Sequence, residues 1–307
     1  MSDCQTTEDG TGMSEQLDWG WRYAAVRPDH FRVEYAINPY MDVRDQPDPA
    51  RALAQWTDLV QTLQGLGATV EVLGQRPDAP DMVYAMNLGL VASDDAGPRA
   101  VMSHMRFPER RMEQLSSAAW FAERGHRVSW VGRDGVGGHF ESGDAFPFGD
   151  ALVAGYGPRS DDIGLKSLAA QLQVRVRTLR LVNPDLYHLD LAFCPLDARR
   201  AMVCPAAFTP SAAAALLDLV PEALVLSAAE AATFCANSVV VGSTVVMPAC
   251  PPRVRAQLEA WGFRIVLVDV SELHLGGGSI RCLTNPLDIV VGRDLPAVPG
   301  GDVVPLG

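Results

Sequence analysis

The sequence predicts an α/β fold in which copies of one supersecondary unit close into a ring, a five-bladed α/β propeller with pseudo-fivefold ββαβ-type repeats. Three observations lead there. Helical periodicity gives way to a short apolar strand five times along the chain. Each unit leads into a hairpin preceded by a single polar or ionisable residue. Those residues, Asn87, Glu141, His188, Asn237 and Cys282, are separated by 54, 47, 49 and 45 positions. They therefore occupy equivalent places in a repeat, and a closed ring would bring them together near its axis.

The units follow in order. The first is a helix over 52–66, Gly67, and the strand 69–73. The second is a helix over 116–124, Gly125, and the strand 127–131. The third runs 163–172 and 174–179, and the fourth 211–220, Pro221 and 223–226. The fifth is a helix over 253–261, Gly262 and the strand 264–268. A glycine after the helix supplies the left-handed residue that turns the chain back into a strand. The hairpins are expected to begin at 88–91, 144–148, 191–194 and 238–241, with a last strand at 288–291. Residues 1–16 are polar and acidic and read as a disordered lead, leaving 17–307 as one domain.

Composition narrows the function. Against 25 Lys+Arg stand 37 Asp+Glu, so a nucleic-acid or anionic-membrane partner, which needs a basic face, is not expected. The start of the chain has no basic and apolar leader, and a cytoplasmic protein with reduced thiols is the reading. The uncharged run 231–252 is long enough to span a membrane. It contains Asn237, Gly242, Ser243 and Pro248, however, and reads as two short strands around a turn. No pair of cysteines or histidines has metal-site spacing. The Gly276-Gly277-Gly278 run is not a phosphate loop, since no Gly-Lys-Ser/Thr follows. It would let backbone come close to a substrate. Cys4, Cys194, Cys204, Cys235 and Cys250 read as structural, and the histidines other than His188 as surface or loop residues.

Five stretches carry a resemblance: DHFRVEYAINPYMD (29–42), PDMVYAMNLGLV (80–91), FESGD (140–144), LYHLD (186–190) and GGGSIRCLTNPL (276–287). With them the chain resembles the guanidine-modifying pentein superfamily, which comprises arginine deiminases, dimethylarginine dimethylaminohydrolases, amidinotransferases and arginine dihydrolases. The resemblance implies a five-bladed propeller, no metal, no organic cofactor, and a small cationic guanidino substrate. It implies Cys282 as nucleophile, His188 as general acid and base, and Glu141 and Asp190 as the grip on the guanidinium. Deiminases and dimethylarginine hydrolases usually have aspartate where this chain has Asn87. Asn87 with Asn38 resembles the arginine dihydrolases, which release ornithine, ammonia and carbon dioxide from arginine. Ser142 departs from the small residue usual in FESGD.

These residue types suit the chemistry. A guanidinium carbon resists water but yields to a thiolate, giving a covalent amidino thioether. An imidazole of near-neutral pKa can protonate the leaving amine and then activate water. Carboxylates hold the planar fork by charge-assisted hydrogen bonds. The substrate carboxylate needs a cation: Arg106 leads the candidates, ahead of Arg110, Arg111 and Arg281. Asn237 either contacts substrate or caps its turn, and Asp144 closes a turn. Dimethylarginine hydrolysis or arginine deimination to citrulline is the alternative, followed by amidino transfer. A non-catalytic binding propeller, like the ribosome anti-association factors, is the reading from another class. The oligomeric state stays open, a homo-oligomer included.

Overall fold

The computed structural model describes residues 16–291. The expected lead therefore lies outside the described residues except for Gln16, and Cys4 lies outside them with it. Five three-stranded sheets carry the chain, each with two antiparallel strands, a helix, and a third strand parallel to the second. One unit sets the pattern. Gly89–Asp94 pairs antiparallel with Gly97–Met102, the helix Glu113–Glu123 crosses over, and Arg127–Trp130 returns parallel. The next three repeat it through the helices Asp162–Leu172, Pro210–Leu219 and Pro252–Ala260. The fifth sheet joins the two ends of the described chain: Asn285–Pro286 pairs antiparallel with Arg22–Val26, which pairs parallel with Thr69–Leu73 after the helix Pro49–Gly65. The fold is mixed α/β, and among the described residues no sheet closes into a barrel.

Local chemistry sets the helix ends. Asp48 accepts the N–H groups of Ala50 and Arg51 ahead of Pro49, Asp161 accepts that of Gly164, and Thr209 caps the helix that opens at Pro210. Gly67, Gly125 and Gly262 follow their helices at φ +95°, +81° and +83°, as a chain reversal requires. The third helix ends on Gln173, left-handed at φ 56° without glycine.

The first two strands of each sheet are more deeply buried than the third, as in Leu152–Val153–Ala154 and Val245–Val246–Met247. The third strands expose Val72, Val225 and Leu267. Burial therefore rises toward the turns that open each hairpin, and the five spaced residues sit in those turns.

The reading of the uncharged run holds, and that of the last strand needs correction. The run 231–252 forms a hairpin, Val239–Val241 with Thr244–Met247, and among the described residues no helix is long and apolar enough to cross a membrane. The last strand is Asn285–Pro286 and not 288–291, where Val290 makes only an isolated bridge to Ser93. Asp288 explains the shift. Its carboxylate accepts the N–H groups of Gly20, Trp21 and Arg22 at 3.0, 2.7 and 3.2 Å, so a side chain takes over from the strand ladder.

Candidate active site

All five spaced residues are buried, between 0% and 2% exposed, and hydrogen bonds join their turns. His188 Nε2 lies 2.9 Å from Glu141 Oε2. Asn87 Oδ1 accepts the Gly143 N–H at 2.9 Å. Asn237 Oδ1 accepts the Cys282 N–H at 3.2 Å, and its Nδ2 donates to Cys282 Sγ at 3.2 Å and to Asp190 O at 3.1 Å. Cys282 Sγ lies 3.3 Å from Asp190 Oδ2, to which the thiol donates. A thiol, a carboxylate, an imidazole and two amides thus meet in one buried place.

The two carboxylates differ. Glu141 has several partners: Oε1 accepts the Arg106 N–H at 3.1 Å, and Oε2 faces both His188 and Arg159 Nη1, the latter at 3.0 Å. Burial alone would raise its carboxyl, but the Arg159 guanidinium and His188 outweigh burial and hold it well below the usual carboxylate range. Both Glu141 oxygens thus carry protein donors, one of them the His188 ring. Asp190 is the reverse. Its Oδ1 is buried without a partner, and burial pushes the group up to about 7 against the lowering effect of Cys282, Arg281 and Asn237. A buried oxygen left unpaired is a place for an incoming N–H donor. Burial, and then the Asp190 charge, push the Cys282 thiol well above its ordinary range, so the resting thiol keeps its proton.

Asp144 holds the site together without entering it: Oδ1 accepts the Leu189 N–H at 2.9 Å and Oδ2 the Ser160 hydroxyl at 2.7 Å. The Gly-rich run serves side-chain packing. A Cβ on Gly276 would lie 2.1 Å from Tyr84 Oη, one on Gly277 2.5 Å from Asn38, and one on Gly278 2.4 Å from the Tyr84 ring. Asn38 Nδ2 donates to Gly276 O and Tyr187 Oη to Gly277 O, so this loop is clasped from both sides. Ser142 is buried with its N–H on Ser103 Oγ.

A cleft of ≈ 220 Å³ borders the site, lined by Ile37, Asn38, Phe107, Val182, Tyr187 and Arg159 among others. Arg159 was not anticipated from the sequence. It sits 2% exposed between the Phe107 and Tyr187 rings, 4.9 and 4.5 Å from their centroids, and donates to Ile37 O as well as Glu141. The loop residue GPRS carried no periodic or motif signal that set it apart. Arg106 stands at the site through its backbone, with its side chain exposed. The other arginines are otherwise engaged. Arg110 is buried and bidentate to Glu113, Arg111 donates to the Met105 and Arg106 carbonyls, and Arg281 lies between Trp19 and Phe146, away from the cleft. His104 is no surface residue: it is fully buried, with Nδ1 2.8 Å from Gly138 O and its ring stacked on His139.

The profile of the family described as N,N dimethylarginine dimethylhydrolase, eukaryotic, matches residues 27–289. The chain belongs to this dimethylarginine dimethylaminohydrolase family. It is 41% identical over 263 residues to the N(G),N(G)-dimethylarginine dimethylaminohydrolase of Mycobacterium tuberculosis, covering 86% of this chain and 84% of that protein. It is also 33% identical over 278 residues to the bifunctional arginine dihydrolase/ornithine cyclodeaminase AgrE of Nostoc, covering 86% of this chain but only 37% of AgrE. Among solved structures, the product-bound N-terminal domain of the cyanobacterial arginine dihydrolase ArgZ matches at 30% identity and TM-score 0.81, over 88% and 98% of the two chains. The citrulline-bound dimethylarginine dimethylaminohydrolase of Pseudomonas aeruginosa shares the fold at TM-score 0.69 and 21% identity, covering 87% of this chain and 99% of that one. The site thus belongs to a pentein-superfamily hydrolase acting on guanidino groups.

Proposed function

We propose that the chain hydrolyses L-arginine to ornithine, ammonia and carbon dioxide through a covalent amidino thioether on Cys282. In this reading the five sheets are the blades of a propeller around the site. The guanidinium is held by the unpaired Asp190 Oδ1, and its charge offsets the effects that keep the thiol protonated. The thiol proton passes to His188 as Sγ bonds to the central carbon. His188 returns that proton to the leaving nitrogen, the C–N bond breaks, and ammonia departs. Water then gives a proton to His188 while its oxygen bonds to the carbon. The C–S bond breaks, the thiol recovers its proton, and a ureido group remains. A second round at the ureido carbon, with a second water, releases another ammonia and a carbamate that loses carbon dioxide.

The observation that carries the two-step reading is the state of Asn87. Its Oδ1 is taken by the Gly143 N–H, so the group it offers is an N–H donor. A donor suits a ureido oxygen, and an uncharged amide holds a guanidinium less strongly than a carboxylate would, so it would retain the intermediate for the second attack. Glu141 holds the His188 ring, and Asn237 holds the thiol. Arg106, with Arg159 at the cleft wall, meets the substrate carboxylate. Asn38 shapes the cleft through its clasp on Gly276. A variant of ArgZ has been crystallised covalently bound to a reaction intermediate, which accords with this route. No cofactor enters the scheme.

Hydrolysis of dimethylarginine to citrulline is the second reading, favoured by the family profile and the Mycobacterium tuberculosis relative. A product assay separates the two. The enzyme is incubated with arginine, methylated arginines and agmatine, with Cys282→Ala as the blank. Ornithine plus ammonia from arginine supports the proposal. Citrulline plus dimethylamine from dimethylarginine, with arginine untouched, replaces it.

A further inference from the structure

Asn237 is fully buried, and all four of its polar atoms are hydrogen-bonded. Its carbonyl accepts the Arg281 N–H and its Oδ1 the Cys282 N–H, each at 3.2 Å. Its Nδ2 donates to Asp190 O at 3.1 Å and to Cys282 Sγ at 3.2 Å. These contacts fix which way the amide faces. A backbone N–H only donates, so the group beside it is the oxygen, and the NH₂ is left to the sulfur. Both hydrogens of that NH₂ are then engaged inside the protein, and neither remains for a substrate. The sulfur meanwhile gives its own proton to Asp190 Oδ2 at 3.3 Å. The turn that presents Asn237 is strained. The Asn237 N–H bonds at 2.9 Å to the carbonyl of Phe234, a non-glycine residue held left-handed at φ 62°. The Phe234 ring packs on those of Tyr40 and His274, 4.9 and 4.5 Å between centroids. Backbone strain of this kind persists where the surroundings over-determine it, and it clusters at functional sites.

We infer that Asn237 is a catalytic residue: its amide N–H stabilises the Cys282 thiolate, before the attack and again as the C–S bond breaks. The inference deepens the proposed reading and rests on Cys282 being its nucleophile. Once the thiol proton has passed to His188, the sulfur has nothing left to donate to Asp190. The N–H from Asn237 remains, and a hydrogen bond to an ionised acceptor is roughly twice as strong as one to a neutral acceptor. The thiolate therefore gains more from Asn237 than the thiol or the neutral thioether sulfur does. Of the two side chains bonded to Sγ, Asp190 raises the thiol that burial has already raised, and Asn237 lowers it. An oxygen in place of Nδ2 would turn this donor into an acceptor facing the anion, while the Cys282 N–H kept its partner.

The test is Asn237→Asp, of the same shape, beside Asn237→Ala. Two quantities are measured: kcat on the better of arginine and dimethylarginine, and the rate of Cys282 alkylation by iodoacetamide at pH 8, read by mass spectrometry of the labelled peptide. Loss of a charge-assisted N–H raises the thiol by about one to two pKa units. The thiolate falls about tenfold per unit, and the higher nucleophilicity of a more basic sulfur recovers about half of that on a logarithmic scale. Alkylation therefore slows about threefold to tenfold, and kcat falls about tenfold or more. A merely structural cap predicts the opposite sign, because a loosened turn uncovers a thiol that is 2% exposed at rest and speeds its alkylation. A folded variant with wild-type or faster alkylation overturns the inference, as does an unchanged kcat. If the Asp variant does not fold, the Ala variant is read in the same way. Alkylation of wild-type Cys282 without loss of activity would instead refute the reading of the site itself.

Discussion

Replacing Glu141 by Gln removes one charge and little else of the shape. The wild-type carboxylate is fully buried and receives N–H groups from His188, Arg159 and the Arg106 backbone at 2.9, 3.0 and 3.1 Å. An amide has one acceptor oxygen, so either its NH₂ faces the His188–Arg159 pair or it faces the Arg106 N–H. Hydrogen bonds to a charged group contribute about 1.5–3 kcal/mol each. Removing one partner of a buried ion pair costs about 3–5 kcal/mol, because the other, here Arg159, stays buried and uncompensated. A loss near the upper range, about 3–5 kcal/mol in urea unfolding at pH 7, is expected. The pH dependence has a definite sign. Arg159 and His188 hold the folded carboxyl below its unfolded value despite burial, so its ionisation stabilises the fold above that unfolded value. The contribution is lost only as pH falls through the folded one. The gap between wild type and variant should therefore be full at pH 5–7, at roughly this size, and close only in strong acid. Turnover should fall by about 10²–10⁴-fold, the usual contribution of a placed acid–base group, with KM little changed. A variant that unfolds with the wild type at pH 7 and keeps its kcat would refute the reasoning.

Two further substitutions probe the same turns. Asn87→Asp replaces an amide by a second carboxylate able to accept from a guanidinium, and from arginine it should shift product toward citrulline; an unchanged ornithine-to-citrulline ratio would remove Asn87 from the two-step scheme. Gly278→Ala puts a Cβ 2.4 Å from a Tyr84 ring whose hydroxyl is anchored on Leu273 O at 2.6 Å. The ring cannot swing aside, and overpacking of this kind costs about 1–3 kcal/mol. The melting temperature should drop by several degrees, with activity falling because Cys282 lies on the same loop. A wild-type melt would show that the loop gives way freely.

What could be read from the sequence was what repeats. The helices, the breaks after them and the five spaced residues follow from periodicity and local stereochemistry, which neighbouring residues set. Cys282, His188, Glu141, Asn87 and Asn237 could be put together because equivalent turns share one environment. Interactions between segments distant along the chain were not legible. Arg159 reaches Glu141 from a loop without pattern, and its aromatic walls come from Phe107 and Tyr187. The displacement of the last strand depended on Asp288 capturing three N–H groups more than 260 positions away. The role of Gly276–Gly278 was hidden because the groups that fill the space, Tyr84 and Asn38, come from the other end of the chain. The burial of His104 follows from a carbonyl at Gly138 that closes over it.

The sheet built from Arg22–Val26, Thr69–Leu73 and Asn285–Pro286 bears on how the enzyme comes into being. A ribosome delivers the first two strands early, but their partner emerges more than two hundred residues later. Cys282 lies three positions ahead of that partner strand. A nascent chain can thus complete the other four sheets before the Cys282 turn is in place, and the Cys282 thiol meets Asp190 and Asn237 only when Asn285–Pro286 joins Arg22–Val26. Such non-local pairing makes folding slow. It also means that a chain cut short before residue 282 carries His188 and Glu141 without the thiol proposed as the nucleophile.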